Sequence, residues 1–311
     1  MEENKQIIYL NKAGESWITD RFRHEWYEHN KNTTRYLKRS NIIWIISPWT
    51  WNKLNKKKLK LTKTVCTIHH IDETKLDVNY IKDFENRDQF VDIYHVPSSK
   101  TKKQLIKITS KPIVQIPFWV DSKKFYEIKE KNILRSKYGF KENDYIVGSF
   151  QRDTEGHDLK SPKLSKGPDL FINNLIKLKK SKNNLKVLIS GYRRQYVIEA
   201  LKNLKIEYTY FEKPNIKVLN ELYNCLDLYI VASRVEGGPM AVLECATTKT
   251  PIISTDVGIA SQILHPSSIY DLDQFENALP NIDHAFNQSK NFVISNGMKP
   301  FNKMMNSLYE S

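Results

Sequence analysis

The sequence predicts an α/β protein of two domains, each built on its own parallel sheet. The chain has 311 residues, enough for two compact domains with separate hydrophobic cores. Short apolar, β-branched runs alternate with longer segments whose apolar residues recur three or four apart, the pattern of parallel strands covered by helices. The strand candidates are too many for one sheet of ordinary size and suit two.

In chain order, strands are expected at residues 7–10, 42–47, 64–68, 93–96 and 114–116, then at 145–150, 186–190, 206–210, 226–231 and 251–254. Helices are expected at 17–29, 170–180, 195–204, 216–225 and 239–247, each with an apolar stripe at helical spacing. Between Ile116 and Tyr145 a charged stretch lacks any strand pattern, which sets the expected boundary near Phe125. The expected domains are therefore 1–125 and 126–290. Residues 291–311 read as a terminal helical segment whose Phe292, Met298, Phe301, Met304, Met305 and Leu308 dock on a core, with the first domain as candidate seat.

Hydrophobic residues form 40% of the chain and charged residues 27%, the balance of a globular protein. The apolar stretch 42–51 is too short for a membrane span, and the N-terminus lacks a secretory pattern, so a cytoplasmic location is the expectation. Cys66, Cys225 and Cys245 are an odd number, far apart and among apolar neighbours, which reads as reduced core residues. The formal net charge is +14. Lysine runs at Lys53, Lys56, Lys57, Lys58, Lys60 and Lys63 suit an anionic partner, with an anionic membrane surface expected as a peripheral contact. No nucleic-acid-binding signature accompanies them, so no nucleic-acid partner is expected.

The most informative stretch runs from the strand at 226–231 through Glu236-Gly237-Gly238-Pro239-Met240-Ala241 to Glu244: a strand, a tight turn and a helix start. Two glycines let backbone approach a ligand, and a proline costs nothing in the first helical turn. Free N–H groups and the positive end of the helix dipole suit a phosphate. Glu236 and Glu244 bracket this terminus, and carboxylates accept hydrogen bonds from hydroxyls such as those of ribose and sugars.

At these residues the chain closely resembles the family 4 glycosyltransferases of the GT-B fold, whose donor motif is two glutamates separated by seven residues, here Glu236 and Glu244. The continuation Pro251-Ile-Ile-Ser-Thr-Asp-Val-Gly258 is similar to the family's next strand and turn. The stretch 146–152 followed by Lys166-Gly167-Pro168-Asp169 resembles its glycine-containing first strand and basic pair, with a longer insert at 153–165. Ile116-Pro117, Val120-Asp121 and Phe125 resemble its linker. The resemblance implies two Rossmann-like domains with parallel sheets facing across a cleft. It implies that Glu236 contacts the transferred sugar, that Gly237, Gly238, Pro239, Met240 and Ala241 line the diphosphate, and that Glu244 holds the ribose. Arg152 and Lys166 are the implied cations for the leaving group, with fixed positive charge where negative charge develops. His69, with adjacent His70, matches a strand-end histidine near the reacting centre. Gly14 stands for the glycine-rich loop after the first strand, and Gly191, Arg193 with Arg194, and Phe211 fall near the nucleotide base.

The function so implied is a retaining, metal-independent transfer of a sugar from a nucleotide diphosphate sugar, a UDP- or GDP-sugar first, to a glycan, lipid-linked or other hydroxyl acceptor. No resident cofactor is implied. Two alternatives stand beside it. One is a sugar-nucleotide epimerase or hydrolase of the same fold; the other is a non-catalytic basic protein that binds nucleic acid or membrane.

Overall fold

The computed structural model describes residues 6–14, 18–272 and 274–311. The first residue of the helix expected at 17–29, and residues 15–17 of the loop expected around Gly14, lie outside the described residues. The chain divides into two compact units: Met1–Pro117 with Lys299–Ser311, and Phe118–Met298.

The first unit holds five parallel strands, β1 (Ile8–Leu10), β2 (Ile42–Ile45), β3 (Lys63–Thr67), β4 (Ile93–Val96) and β5 (Ile113–Gln115), in the order β1-β2-β3-β4-β5. All four residues of β2 are buried, the signature of a central parallel strand covered on both faces. From β1 the chain runs through the helix Ile18–His29 to Thr33, which makes an isolated parallel bridge to Ile8. It then returns to β2, so the direction of winding reverses between β1 and β2. Asn11 fastens that point: its Nδ2 donates to Ser47 O and Thr50 Oγ1, each at 2.9 Å, and its Oδ1 accepts from Ser47 N at 3.0 Å.

One face of this sheet is filled by Ile43, Ile45, Cys66, Phe84 and Tyr94. On the other, the helix Lys299–Glu310 buries Phe301, Met304, Met305 and Leu308, an i, i+3, i+4, i+7 stripe. Phe301 stacks on Trp44 at 5.3 Å between ring centroids, and Trp26 meets Trp44 edge-on at 5.1 Å. Burial of each such side chain is worth about 1.5–3 kcal/mol.

The second unit holds six parallel strands, β6 (Tyr145–Ser149), β7 (Leu185–Ser190), β8 (Glu207–Phe211), β9 (Leu228–Val231), β10 (Ile252–Thr255) and β11 (Ile269–Tyr270), in the order β11-β10-β9-β6-β7-β8. The chain starts in the middle at β6, winds outward to β8, then reverses to β9 on the other side of β6. The two-residue edge strand β11 is not foreseen from the sequence, because so short a run carries no period. Val147, Val187, Ile189, Leu228 and Ile230 form the core with Phe171 and Leu175 of the helix Pro168–Lys179. Near the start of the second unit, Asp121 closes a turn by accepting Lys123 N at 3.0 Å. Tyr126 N and Ile128 N then donate to Asn220 and Asn224 of the helix Ile216–Cys225 at 3.0 and 2.7 Å.

The three cysteines are free and buried, and burial pushes the Cys66 and Cys225 thiols up to about 11 and about 12. Among the described residues no helix is long and apolar enough to cross a membrane.

Candidate donor site

In an open parallel sheet, ligands bind beyond the carboxyl ends of the strands where the winding reverses, because the loops there diverge and leave a crevice. In the second unit that place is between β6 and β9. From β6 emerges Phe150-Gln151-Arg152, and from β9 emerges Ala232-Ser233-Arg234-Val235-Glu236. The two loops are locked to each other through the segment before the helix Pro168–Lys179. Gly167 has φ +60°, and a Cβ there would lie 1.7 Å from Ala232 O. Ser165 O accepts the N–H groups of Arg234 and Val235 at 2.9 and 3.0 Å. Arg234 and Asp169 form a two-point ion pair at 2.8 and 2.6 Å, and the Arg234 hydrogen bonds hold the Asp169 carboxyl below its ordinary range.

These constraints bring Lys166 to Glu236: Lys166 Nζ donates to Glu236 Oε1, with 19% and 10% of the side chains exposed. The two residues are 70 apart in sequence. Gln151 Nε2 donates to Lys166 O at 2.8 Å, and Ser233 Oγ donates to Glu236 Oε1 at 3.3 Å. Gln151 and Ser233 are missed by the sequence reading, since polar residues at strand ends carry no pattern.

The helix after the turn is Met240–Thr248, one residue later than expected. Pro239 is its N-cap, not its first helical residue, and no side chain caps it. The first N–H groups of a helix have no carbonyl partner within it, so Met240 and Ala241 present donors at the turn. Gly258, at φ +58°, allows the following turn to close on this one; a Cβ there would meet Gly237 O at 2.6 Å. The left-handed glycines that shape the site are thus Gly167 and Gly258, flanking the Gly237-Gly238 pair.

Glu244 is 4% exposed and accepts the Tyr223 hydroxyl at 2.6 Å. Burial first, then the Glu244 charge, drives the Tyr223 phenol well above its usual range, so it stays a proton donor. Its ring packs on Phe150 at 4.8 Å and Tyr229 at 5.6 Å. Tyr223 too is absent from the sequence reading.

Arg152, on the insert side of β6, directs Nε to Thr154 O at 2.7 Å. Gly191 N donates to Phe211 O at 3.1 Å, which joins the ends of β7 and β8. Arg193 adopts φ +61° and sends its guanidinium to Gly156 O within the insert. Its neighbour Arg194 turns the other way: 1% exposed, it pairs with Asp153 at 2.9 Å and donates to Ser190 O at 2.7 Å and to Ser149 O. That side chain is a pin across β6 and β7.

His69 and Gly14 belong to the first unit. His69 Nε2–H donates to Ile46 O at 2.8 Å, and its ring lies 5.9 Å from Trp49. Burial among surrounding protein pushes its pKa down to about 4, so the imidazole is neutral at physiological pH although part of its surface remains exposed. Gly14 has φ +76° with no atom within 4 Å of where a Cβ would stand.

Residues 132–269 match the family model described as glycosyl transferases group 1. A search of curated proteins finds no match. Among solved structures, HepE from Anabaena in complex with UDP and glucose superposes with a TM-score of 0.76 at 11% identity, over 98% of this chain and 100% of that one. A glycosyltransferase from Rickettsia africae gives 0.70 at 15% identity, over 99% and 100%. Sucrose-phosphate synthase from Thermosynechococcus elongatus gives 0.70 at 13%, over 87% and 74%. The two parallel sheets are therefore those of the GT-B glycosyltransferase fold, and the second unit carries the similarity to glycosyl transferases group 1.

Proposed function

We propose that the protein is a retaining glycosyltransferase of the family 4 kind, moving a hexose from a nucleotide diphosphate sugar to a hydroxyl of a glycan or lipid-linked acceptor without a metal ion. The observation that carries this reading is the Lys166–Glu236 pair at the β6–β9 reversal, beside a helix terminus that no side chain caps. The pair supplies one cation and one carboxylate acceptor, and the turn that follows Glu236 supplies the N–H donors. Those are the groups a sugar diphosphate requires.

In this reading the N–H groups of the turn at Gly237, Gly238, Met240 and Ala241 hold the diphosphate, with Pro239 setting the chain direction. Glu236 accepts from hydroxyls of the transferred sugar, and Glu244, oriented by Tyr223, accepts from the ribose. Lys166 and Arg152 offset the charge that develops as the bond between the anomeric carbon and the diphosphate oxygen breaks. The acceptor oxygen attacks the anomeric carbon from the face the diphosphate leaves, and its proton passes to a phosphate oxygen. Gly191, Arg193 and Phe211 border the base. The HepE complex with UDP and glucose supports a UDP-sugar as first candidate, ahead of a GDP-sugar. The expected setting is cytoplasmic.

Thermal-shift screening against UDP-, GDP-, ADP- and TDP-sugars tests the proposal, since a ligand that binds only the folded state raises Tm with its affinity. One donor class should stand out, and Lys166→Ala should diminish its effect. Equal responses to all four, or none, would overturn the donor-site reading.

A further inference from the structure

The first unit carries a surface that the donor reading does not use. Residues 29–71 contain ten lysines and arginines and no aspartate or glutamate. The fold gathers part of this charge into one place. The 3₁₀ turn Leu37–Arg39 and the short helix Lys56–Lys60 form the walls of an open concavity of about 710 Å³. Lys58 ties the two walls together by donating from Nζ to Ser40 O at 2.7 Å. Five cations line it, Arg35, Lys38, Arg39, Lys57 and Lys58, with no acid among the lining residues.

The same concavity exposes apolar groups. Leu61 is 86% exposed and Tyr36 65% exposed, and both line it. Arg39 sits over the Tyr36 ring at 5.0 Å, which holds the guanidinium beside the aromatic. An exposed leucine and tyrosine set among clustered cations suit a partner that is both apolar and anionic.

We propose that this basic, apolar-edged concavity docks on an anionic lipid bilayer. The cations meet lipid phosphates, Tyr36 lies at headgroup level where its ring and hydroxyl are both satisfied, and Leu61 enters the acyl boundary. Long lysine stems allow the charges to stay at the headgroups while apolar groups go deeper. A nucleic acid would answer the charge but offers nothing to Leu61, an aliphatic side chain that neither stacks on bases nor pairs with phosphate. The proposal does not depend on the donor site.

Flotation of the full chain with vesicles tests it, comparing phosphatidylcholine alone with phosphatidylcholine containing about one-third phosphatidylglycerol, at low and high salt. The chain should float with the anionic vesicles only, and less at high salt. The double variant R35E/R39E should lower partitioning about tenfold or more, and Leu61→Ser several-fold, with both keeping the wild-type melting midpoint because the positions are exposed. Equal flotation with both vesicle types, or wild-type flotation of R35E/R39E, would overturn the assignment. So would a labelled RNA duplex that binds wild type and releases R35E/R39E while vesicles stay unbound. The assay contains no nucleotide sugar, so its failure leaves the donor-site proposal standing, and the converse holds for the thermal-shift screen.

Discussion

The hydroxyl of Tyr223, on the helix Ile216–Cys225, donates to the buried carboxylate of Glu244 on the helix Met240–Thr248 at 2.6 Å. A carboxylate taken out of water needs such a donor, and one with a fixed direction also sets where the remaining acceptor lone pairs point. Tyr223→Phe should therefore cost about 1–3 kcal/mol of stability. If Glu244 holds the ribose, the same variant weakens donor binding, read by calorimetric titration with the nucleoside diphosphate. A purely structural tyrosine would lower Tm and leave that affinity unchanged.

Lys166 and Glu236 form an ion pair in the free protein, so the loss of either charge takes away the other's counter-charge. Lys166→Met should slow transfer by about 10²- to 10³-fold in kcat, the scale expected when one preorganised charge is removed from the transition state. It should also lower stability, and adding Glu236→Gln to it should restore part of that loss, because the carboxylate that lost its counter-charge is then neutral. Steady-state kinetics and urea melts on the two single variants and the double variant separate the effects. A Lys166→Met protein with unchanged kcat would remove the lysine from the mechanism.

Gly167 and Gly14 both have positive φ, yet their surroundings differ. Gly14→Ala meets only backbone strain, about 1–2 kcal/mol. Gly167→Ala adds a collision with Ala232 O, which belongs to the loop that carries Glu236, so about 3 kcal/mol or more is expected. Denaturant midpoints should rank wild type, Gly14→Ala, Gly167→Ala in descending order.

Acid should destabilise the first unit before its carboxylates titrate. Burial holds His69 down to about 4 and His95 down to about 3. His95 Nε2–H donates to Ile116 O at 2.7 Å and Nδ1 accepts from Thr67 at 2.9 Å, so a second proton would have to displace the Thr67 hydroxyl hydrogen from that contact. An unfolded imidazole titrates near 6.5, about the point where the unfolded chain begins to bind more protons than the folded one. The contribution is fully present above pH 6.5 and is lost as pH falls toward 4 and 3. Melting midpoints should decline across that window, and His95→Gln should flatten the decline. A midpoint constant from pH 7 to 5 would contradict the buried neutral assignment.

Much of the scaffold was readable because its signals are local. Buried parallel strands such as β2 and β9 are continuous apolar runs, and the helices between them keep an apolar stripe, so both types were visible with ends displaced by one or two residues. The helices Val78–Asp88 and Ser99–Leu105 were not foreseen, their segments being rich in charge and polar residues. The Glu236 to Glu244 spacing stood out for the same local reason: a turn and a helix start are written in consecutive residues.

What the sequence determined by itself was the alternation of strands and helices, the two-sheet α/β class and the position of the acidic, glycine-bearing turn. Only the tertiary structure decided that β9 lies beside β6, which makes the ends of those strands a reversal point and sets Lys166 against Glu236. It also decided that Tyr223 lies under Glu244, that Arg194 faces inward while Arg193 faces the insert, and that Arg35, Lys38 and Leu61 share one concavity. The physical reason is range. Period and turn chemistry act over a few residues, whereas strand order and side-chain partners are fixed by how distant apolar faces are buried together, which no short window of sequence contains.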